Sequence, residues 1–243
     1  ELFVNTSLLA MYGSDPFKIG GTRIDLKAQS YSIPLVYPAG FLMYRVRAVA
    51  FTGSNFNERV EGKWSEVDHY EITKAYEKDK NWQYRANYAE NGLRSTSMKY
   101  LDGSLRNRQN ISRDNTNNKS LVGEVLYDYH GRPALTIPTV PTTTTSLKYH
   151  ADFAKNTAAE TYSWKDFDNA PIACADVSSD PFADSLHHKS AVSEYYSHNN
   201  AFEGTNRHLV PKVDAYGFAQ TVYTPDQTGR VAISGGLTED FQP

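Results

Sequence analysis

The stretch Tyr127-Asp128-Tyr129-His130-Gly131-Arg132-Pro133 sets a Tyr, an Asp, a Gly and an Arg in the order of a tight turn between two strands. The Asp carboxylate can bond the backbone of its own turn, and the Gly tolerates the positive φ that closes it. Near the end of the chain Tyr223-Thr224-Pro225-Asp226-Gln227-Thr228-Gly229-Arg230 repeats the same chemistry. A turn used twice predicts an all-β fold assembled from hairpins. The turn residues themselves are Tyr127, Asp128, Gly131, Arg132, Tyr223, Asp226, Gly229 and Arg230.

Working outward, the flanks carry further strand signals. Tyr84 to Tyr88 and Leu93 to Leu101 read as a hairpin around Asn91-Gly92, a strong type I′ turn signal. Leu105 to Ser112 and Leu121 to Tyr127 make a second pair around an Asn-rich loop, Asp114 to Lys119. Strand pattern returns at Phe218 to Tyr223 and Arg230 to Ser234. Between these lie less regular stretches. Thr136 to Ser146 holds Pro138 and Pro141, which argue against a central strand and predict an extended edge or linker. Asp152 to Ala159 has at best weak helical character. Asp176 to Pro211 is too long and polar for an ordinary internal loop, yet it contains Leu186, Val192, Tyr196 and Phe202. It is expected to wrap over a β surface or to lie against a partner.

The first part of the chain reads as strands between Thr22 and Ile72. In Phe41 to Val49, alternation sets Leu42, Tyr44, Val46 and Ala48 on one face and Met43, Arg45 and Arg47 on the other. After a polar loop with Gly53 and Asn55, Gly62-Lys63-Trp64-Ser65 leads into a second alternating run, Val67 to Ile72. Lys74 to Asp79 forms a charged joint.

These motifs carry two resemblances. The Tyr-x-Val-x-Ala strand and the Gly-x-Trp-Ser entry are similar to the last two strands of a fibronectin type III sandwich. The ordered set Asn81-Trp82-Gln83-Tyr84, Tyr100-Leu101-Asp102-Gly103-Ser104-Leu105-Arg106-Asn107-Arg108-Gln109, the Asp128 cassette and the Asp226 cassette resembles the opening of the RHS/YD-repeat region in large surface proteins of Bacteroidota. The two together imply residues 1–74 as an incomplete fibronectin type III-like segment and residues 75–243 as the start of an RHS/YD-type β shell. They further imply a non-enzymatic scaffold that encloses or displays a downstream effector. The resemblance places it outside the cell or on its surface, as cargo of the type IX secretion route. Its partners would be the remainder of a longer chain and the outer-membrane secretion machinery. The opening Glu-Leu-Phe-Val, with neither initiator Met nor signal peptide, fits a segment of something longer.

Composition narrows the alternatives. The chain has 243 residues and a net charge of −3, with no basic block, so nucleic-acid binding is disfavoured. No apolar run approaches the length of a bilayer-spanning helix. Seventeen Tyr beside only three Met suit half-buried pleated surfaces. Of candidate chemistry, Cys174 lacks an activating context, and His187, His188, His198 and His208 match no zinc spacing. His187 and His188, adjacent in sequence, would point in different directions in any regular element. Asp128 and Asp226 have the residue type of a glycosidase acid–base pair, but turn capping explains each of them. Arg132 and Arg230 are expected to pack on neighbouring Tyr rings with their heads paired to Asp. No catalytic residue, cofactor or metal is therefore expected. The rival readings are a carbohydrate-binding or carbohydrate-degrading β module, which requires exposed coplanar aromatics drawn from residues such as Trp64, Trp82 and Trp164, and an adhesin-type interaction module.

Overall fold

The computed structural model describes residues 2–3, 17, 21–26, 30–31, 33–89, 92–117, 119–167, 182–200, 207–224, 226 and 228–243. The fold is all-β and antiparallel. It divides into two units: residues 1–79 with 86–94, and residues 80–85 with 95–243.

In the first unit a short strand β1 (Leu2–Phe3), β2 (Gly40–Tyr44) and β5 (Asp68–Ile72) form a three-stranded sheet, while β3 (Val49–Thr52) and β4 (Glu58–Glu61) form a two-stranded ribbon. The two pairings belong to one long irregular hairpin. Gly40 to Tyr44 runs opposite Ile72 to Asp68, and Val49 to Thr52 opposite Glu61 to Glu58. Between them the Ser65 N–H donates to the Val46 carbonyl and the Gly62 N–H to the Ala48 carbonyl. The Gly-x-Trp-Ser segment thus itself lies alongside the Tyr-x-Val-x-Ala segment.

The covered face is the less obvious one. Tyr44, Val46 and Ala48 are exposed, whereas Met43 is buried and Arg45 and Arg47 are half-buried. The reason is Trp64. The Arg45 guanidinium lies 4.6 Å and that of Arg47 4.2 Å from its ring, and Arg45 also faces Phe17 at 4.6 Å. Stacked guanidinium groups shed little hydration and cover the ring, so the charged row becomes the packed one.

The second unit is built on most of a seven-stranded meander, whose residues 86–94 group with the first unit: β6 (Asn81–Ala89), β7 (Gly92–Leu101), β8 (Asn107–Asp114), β9 (Lys119–Tyr127), β10 (Pro133–Pro141), β11 (Ala219–Tyr223) and β12 (Val231–Ser234), neighbours in sequence order. Residues 90–91, the expected turn of the first hairpin, lie outside the described residues. Period two decides which side faces in. Thr96, Met98 and Tyr100 on β7, Gln109 and Ile111 on β8, and Ser120, Val122, Glu124 and Leu126 on β9 are buried at alternate positions, so the inner face carries polar groups as well as apolar ones.

The expectation that Pro138 and Pro141 exclude a central strand is overturned, since β10 runs between β9 and β11. The prolines are tolerated by position. Pro133 and Pro141 are its first and last residues, and the register with β9 shifts between Ile137 and Val140, around Pro138. On its other side β10 pairs with β11 only at Leu135 and Thr136. No ladder hydrogen bond therefore has to be made where an N–H is missing.

The chain between β10 and β11 covers the sheet. Phe153, Tyr162, Phe167, Leu186, Val192 and Tyr196 are buried, and the Tyr100 hydroxyl donates to the Leu147 carbonyl at 2.9 Å. Asp152 to Ala159 forms turns closed by a bridge between Lys155 and Thr161 rather than a helix. A helix does occur where none is expected, α1 (Ala191–Tyr195), packed on β10. Ser190 caps it by accepting the Ser193 N–H at 3.2 Å. The described part of the 176–211 stretch thus wraps over the β surface, while residues 176–181 and 201–206 lie outside the described residues.

Candidate functional site

Because the meander is antiparallel throughout, the turns joining β7 to β8, β9 to β10 and β11 to β12 share one end of the sheet. Two of them are the expected cassettes. The third, Asp102-Gly103-Ser104-Leu105-Arg106, has the same construction. The Asp128 N–H donates to the Arg132 carbonyl and the Gly131 N–H to the Asp128 carbonyl, both at 2.9 Å. In the first turn the Asp102 N–H donates to the Arg106 carbonyl at 2.9 Å and the Leu105 N–H to the Asp102 carbonyl at 3.0 Å. In each, one carboxylate oxygen accepts the backbone N–H of the Arg and the other accepts its Nε: 2.7 and 2.6 Å for Asp128, 2.9 and 2.8 Å for Asp102.

The Asp102 turn lacks the Gly immediately before Arg that marks the other two. The signal that does find it is Asp and Arg four residues apart. Leu105 stands at the Gly position with φ +61°, where Gly131 has +82° and Gly229 +74°. A β-carbon at Gly131 would also collide with the Arg106 guanidinium, so that Gly is required twice over.

The Asp226 turn is longer and more exposed. Asp226 Oδ1 accepts from Thr224 Oγ1 at 2.6 Å, from Thr228 Oγ1 at 2.7 Å and from the Thr228 N–H at 3.2 Å, while Oδ2 pairs with Arg230 Nη2. The Thr224 hydroxyl above all, then Arg230, hold this carboxyl well below the usual carboxylate range. Burial of Asp102 acts in the opposite sense, but the backbone N–H groups of Arg106 and Ser104 and the Arg106 guanidinium outweigh it and lower that pKa too. Both are ionised caps at neutral pH, as structural turn residues require and a general acid does not.

The cassettes are chained. Arg106 lies 4.4 Å from the ring of Tyr127, the residue before the next Asp, and the Tyr127 hydroxyl donates to the Asn107 carbonyl at 2.9 Å. Arg132 lies 4.5 Å from the ring of Tyr223, whose hydroxyl donates to the Pro133 carbonyl at 2.8 Å. Each Arg therefore seats the Tyr that ends the second strand after it, and each Tyr bonds the carbonyl next after that Arg. The expected Arg–Tyr packing holds for Arg132. Arg230 pairs with Asp226 as expected, but no ring is recorded over it among the described residues.

A second polar group lies under the covering chain. Arg108 Nε is 2.6 Å from Glu124 Oε1, the Glu124 side chain is 2% exposed, and Arg108 Nη2 also donates to the Tyr162 carbonyl. Gln109 exchanges two hydrogen bonds with the His150 backbone, at 2.9 and 3.1 Å. Burial raises the Glu124 carboxyl above its ordinary value, with Arg108 opposing. These groups tie the sheet to its cover, with Glu124 and Gln109 buried and Arg108 half-buried.

The remaining candidates do not assemble. Cys174 lies outside the described residues. The His187 and His188 rings are 4.3 Å apart and tilted by 32°; they lie in no regular element, so the divergence expected within one does not arise. They sit in a turn before α1, where neighbouring side chains need not alternate. Among the described residues no group of three His, Cys, Asp or Glu is placed to hold a metal. Trp164 approaches Tyr129 at 5.9 Å with the rings 58° apart, which is not a coplanar sugar platform. A cavity of about 570 Å³ in the first unit, against Leu42, Met43 and Trp64, has Arg23 and Arg45 as its charged groups and no carboxylate, thiol or imidazole among the described residues of its lining. No helix among the described residues is long and apolar enough to cross a membrane.

No curated protein and no solved structure matches this chain. Residues 72–243, which include the whole seven-stranded meander and its three cassettes, match the family described as a domain of unknown function, DUF6443, and the chain belongs to that family.

Proposed function

We propose that this chain is a non-enzymatic structural segment of a large exported bacterial protein of RHS/YD-repeat type. It would form part of a scaffold or encapsulating shell for a downstream effector, and travel as cargo of the type IX secretion system. The observation that carries the reading is the chained cassette. One turn chemistry occurs three times along one end of a single meander, and each copy is anchored to the next by an Arg–Tyr seat. Such a device grows by adding strands, each covering the edge left by the last, and has no need of a reacting centre. The fibronectin type III-like reading of residues 1–74 belongs to the same proposal, supported by the pairing of the Val46 and Ser65 segments. The test is the native gene product, probed in its host with an antibody against residues 72–243. Expected is a species far larger than 243 residues, recovered outside the cell or at its surface. A product of this chain's own size retained inside the cell overturns the reading.

A further inference from the structure

We infer that the Asp226–Arg230 cassette and the outer edge of β12 form a docking seat for an extended strand that ends in tyrosine and adds antiparallel to β12. The chain states the rule twice. Arg106 immediately precedes β8 and stacks on the Tyr that ends β9; Arg132 immediately precedes β10 and stacks on the Tyr that ends β11. In both, the Asp four residues earlier grips the guanidinium edge, which leaves its flat face for the ring. Arg230 immediately precedes β12 and is also held by its edge, though by different atoms: Asp226 takes Nη2, and Thr228 Oγ1 accepts from Nε at 3.0 Å.

The seat differs from the other two in its longer turn, in Thr228 taking the Nε, and in its occupant. The Arg230 side chain is 71% exposed, against 35% for Arg106 and 24% for Arg132. β12 is the last strand of the sheet, and Val231 and Ile233 are 54% and 44% exposed. The edge continues a pairing order that has already run through six strands, so its next neighbour is antiparallel and ends beside Arg230. A tyrosine there places its ring over the guanidinium and its hydroxyl at the Val231 carbonyl, the counterpart of the Asn107 and Pro133 carbonyls. A second copy of the chain does not fit. Two-fold pairing of β12 brings only Val231 to Ser234 and leaves Arg230 without a ring. The inference deepens the shell reading and rests on it only for where such a strand comes from; the seat follows from the chain's own repetition.

The probe is a synthetic peptide with the β9 sequence Lys119 to Tyr127, compared with its Tyr127→Leu form, titrated into the full chain by calorimetry. The tyrosine form is expected to bind about tenfold tighter, the combined effect of one cation–π contact and one hydrogen bond. Arg230→Leu should erase that preference with the melting temperature unchanged, because the side chain lies at the surface. Equal affinities, a preference that survives Arg230→Leu, or no binding of either peptide at about 1 mM each overturns the seat. So does a dimer in sedimentation velocity that Val231→Pro dissociates, since the edge would then be occupied by a second copy. None of these results bears on the size or secretion of the native product, so the seat and the shell reading fail separately.

Discussion

The long hairpin of residues 40–72 and the meander of residues 95–234 are both antiparallel, yet they are held together by different means. In the hairpin, β3 and β4 are exposed at every position, and Phe51 and Phe56 are 54% and 73% exposed. Its cohesion comes from pairing, from the Arg47–Glu61 and Arg59–Glu61 ion pairs and from two guanidinium groups stacked on Trp64. The meander seals one face under its own chain and closes one end with chained turns. The difference teaches that strand pattern alone does not make a core; a covering layer does.

The widest gap between the two regions should open on breaking the buried Arg108–Glu124 pair. Arg108→Met leaves a carboxylate beneath the cover without its partner and should cost about 3 kcal/mol of stability, read as a lowered urea midpoint. A loss below about 1 kcal/mol would mean that Glu124 simply takes up a proton.

Next in size is Gly131→Ala. The added carbon meets both an unfavourable φ and the Arg106 guanidinium, so a loss of about 2 kcal/mol is expected, with the Tyr127 seat disturbed. The same substitution at Gly229, which has open space around it, should cost only about 1 kcal/mol from φ alone. Equal effects at the two sites would remove Arg106 from the explanation.

In the hairpin the corresponding break is Trp64→Ala. Loss of two exposed cation–π contacts is worth about 1 kcal/mol, so the Gly62 and Ser65 amides should exchange roughly fivefold faster. The meander amides should be unchanged. A global drop in melting temperature would show that the hairpin and the meander do not hold independently.

The smallest effect has the opposite sign. Leu105 holds φ +61° at a Gly position and is 66% exposed, so Leu105→Gly relieves strain without opening a cavity. A gain of about 0.5 kcal/mol in thermal or urea unfolding is expected. A loss would show that the Leu side chain packs on something that matters.

Much of this was legible before the coordinates. Alternation and turn chemistry located the strands from Asn81 to Tyr127 and from Ala219 to Ser234, because period two and Gly or Asp turns are local properties. The same local rules identified Asp128 and Asp226 as caps and Arg132 as a partner of tyrosine. They misjudged β10, since whether a proline breaks a ladder depends on which neighbour needs its N–H. They missed α1 as well, a single short helix whose burial on β10 supplies what its sequence lacks.

The sequence by itself determined the all-β class, the two cassettes and the turn role of their carboxylates, since each is written within a few residues. Only the tertiary structure decided that Asp102 to Arg106 is a third cassette and that the charged row of Arg45 and Arg47 is the covered one. It alone showed that Arg106 and Arg132 seat Tyr127 and Tyr223. Those contacts join residues 21 and 91 positions apart. Which ring meets which guanidinium is fixed by strand order and register, and no local pattern carries that information.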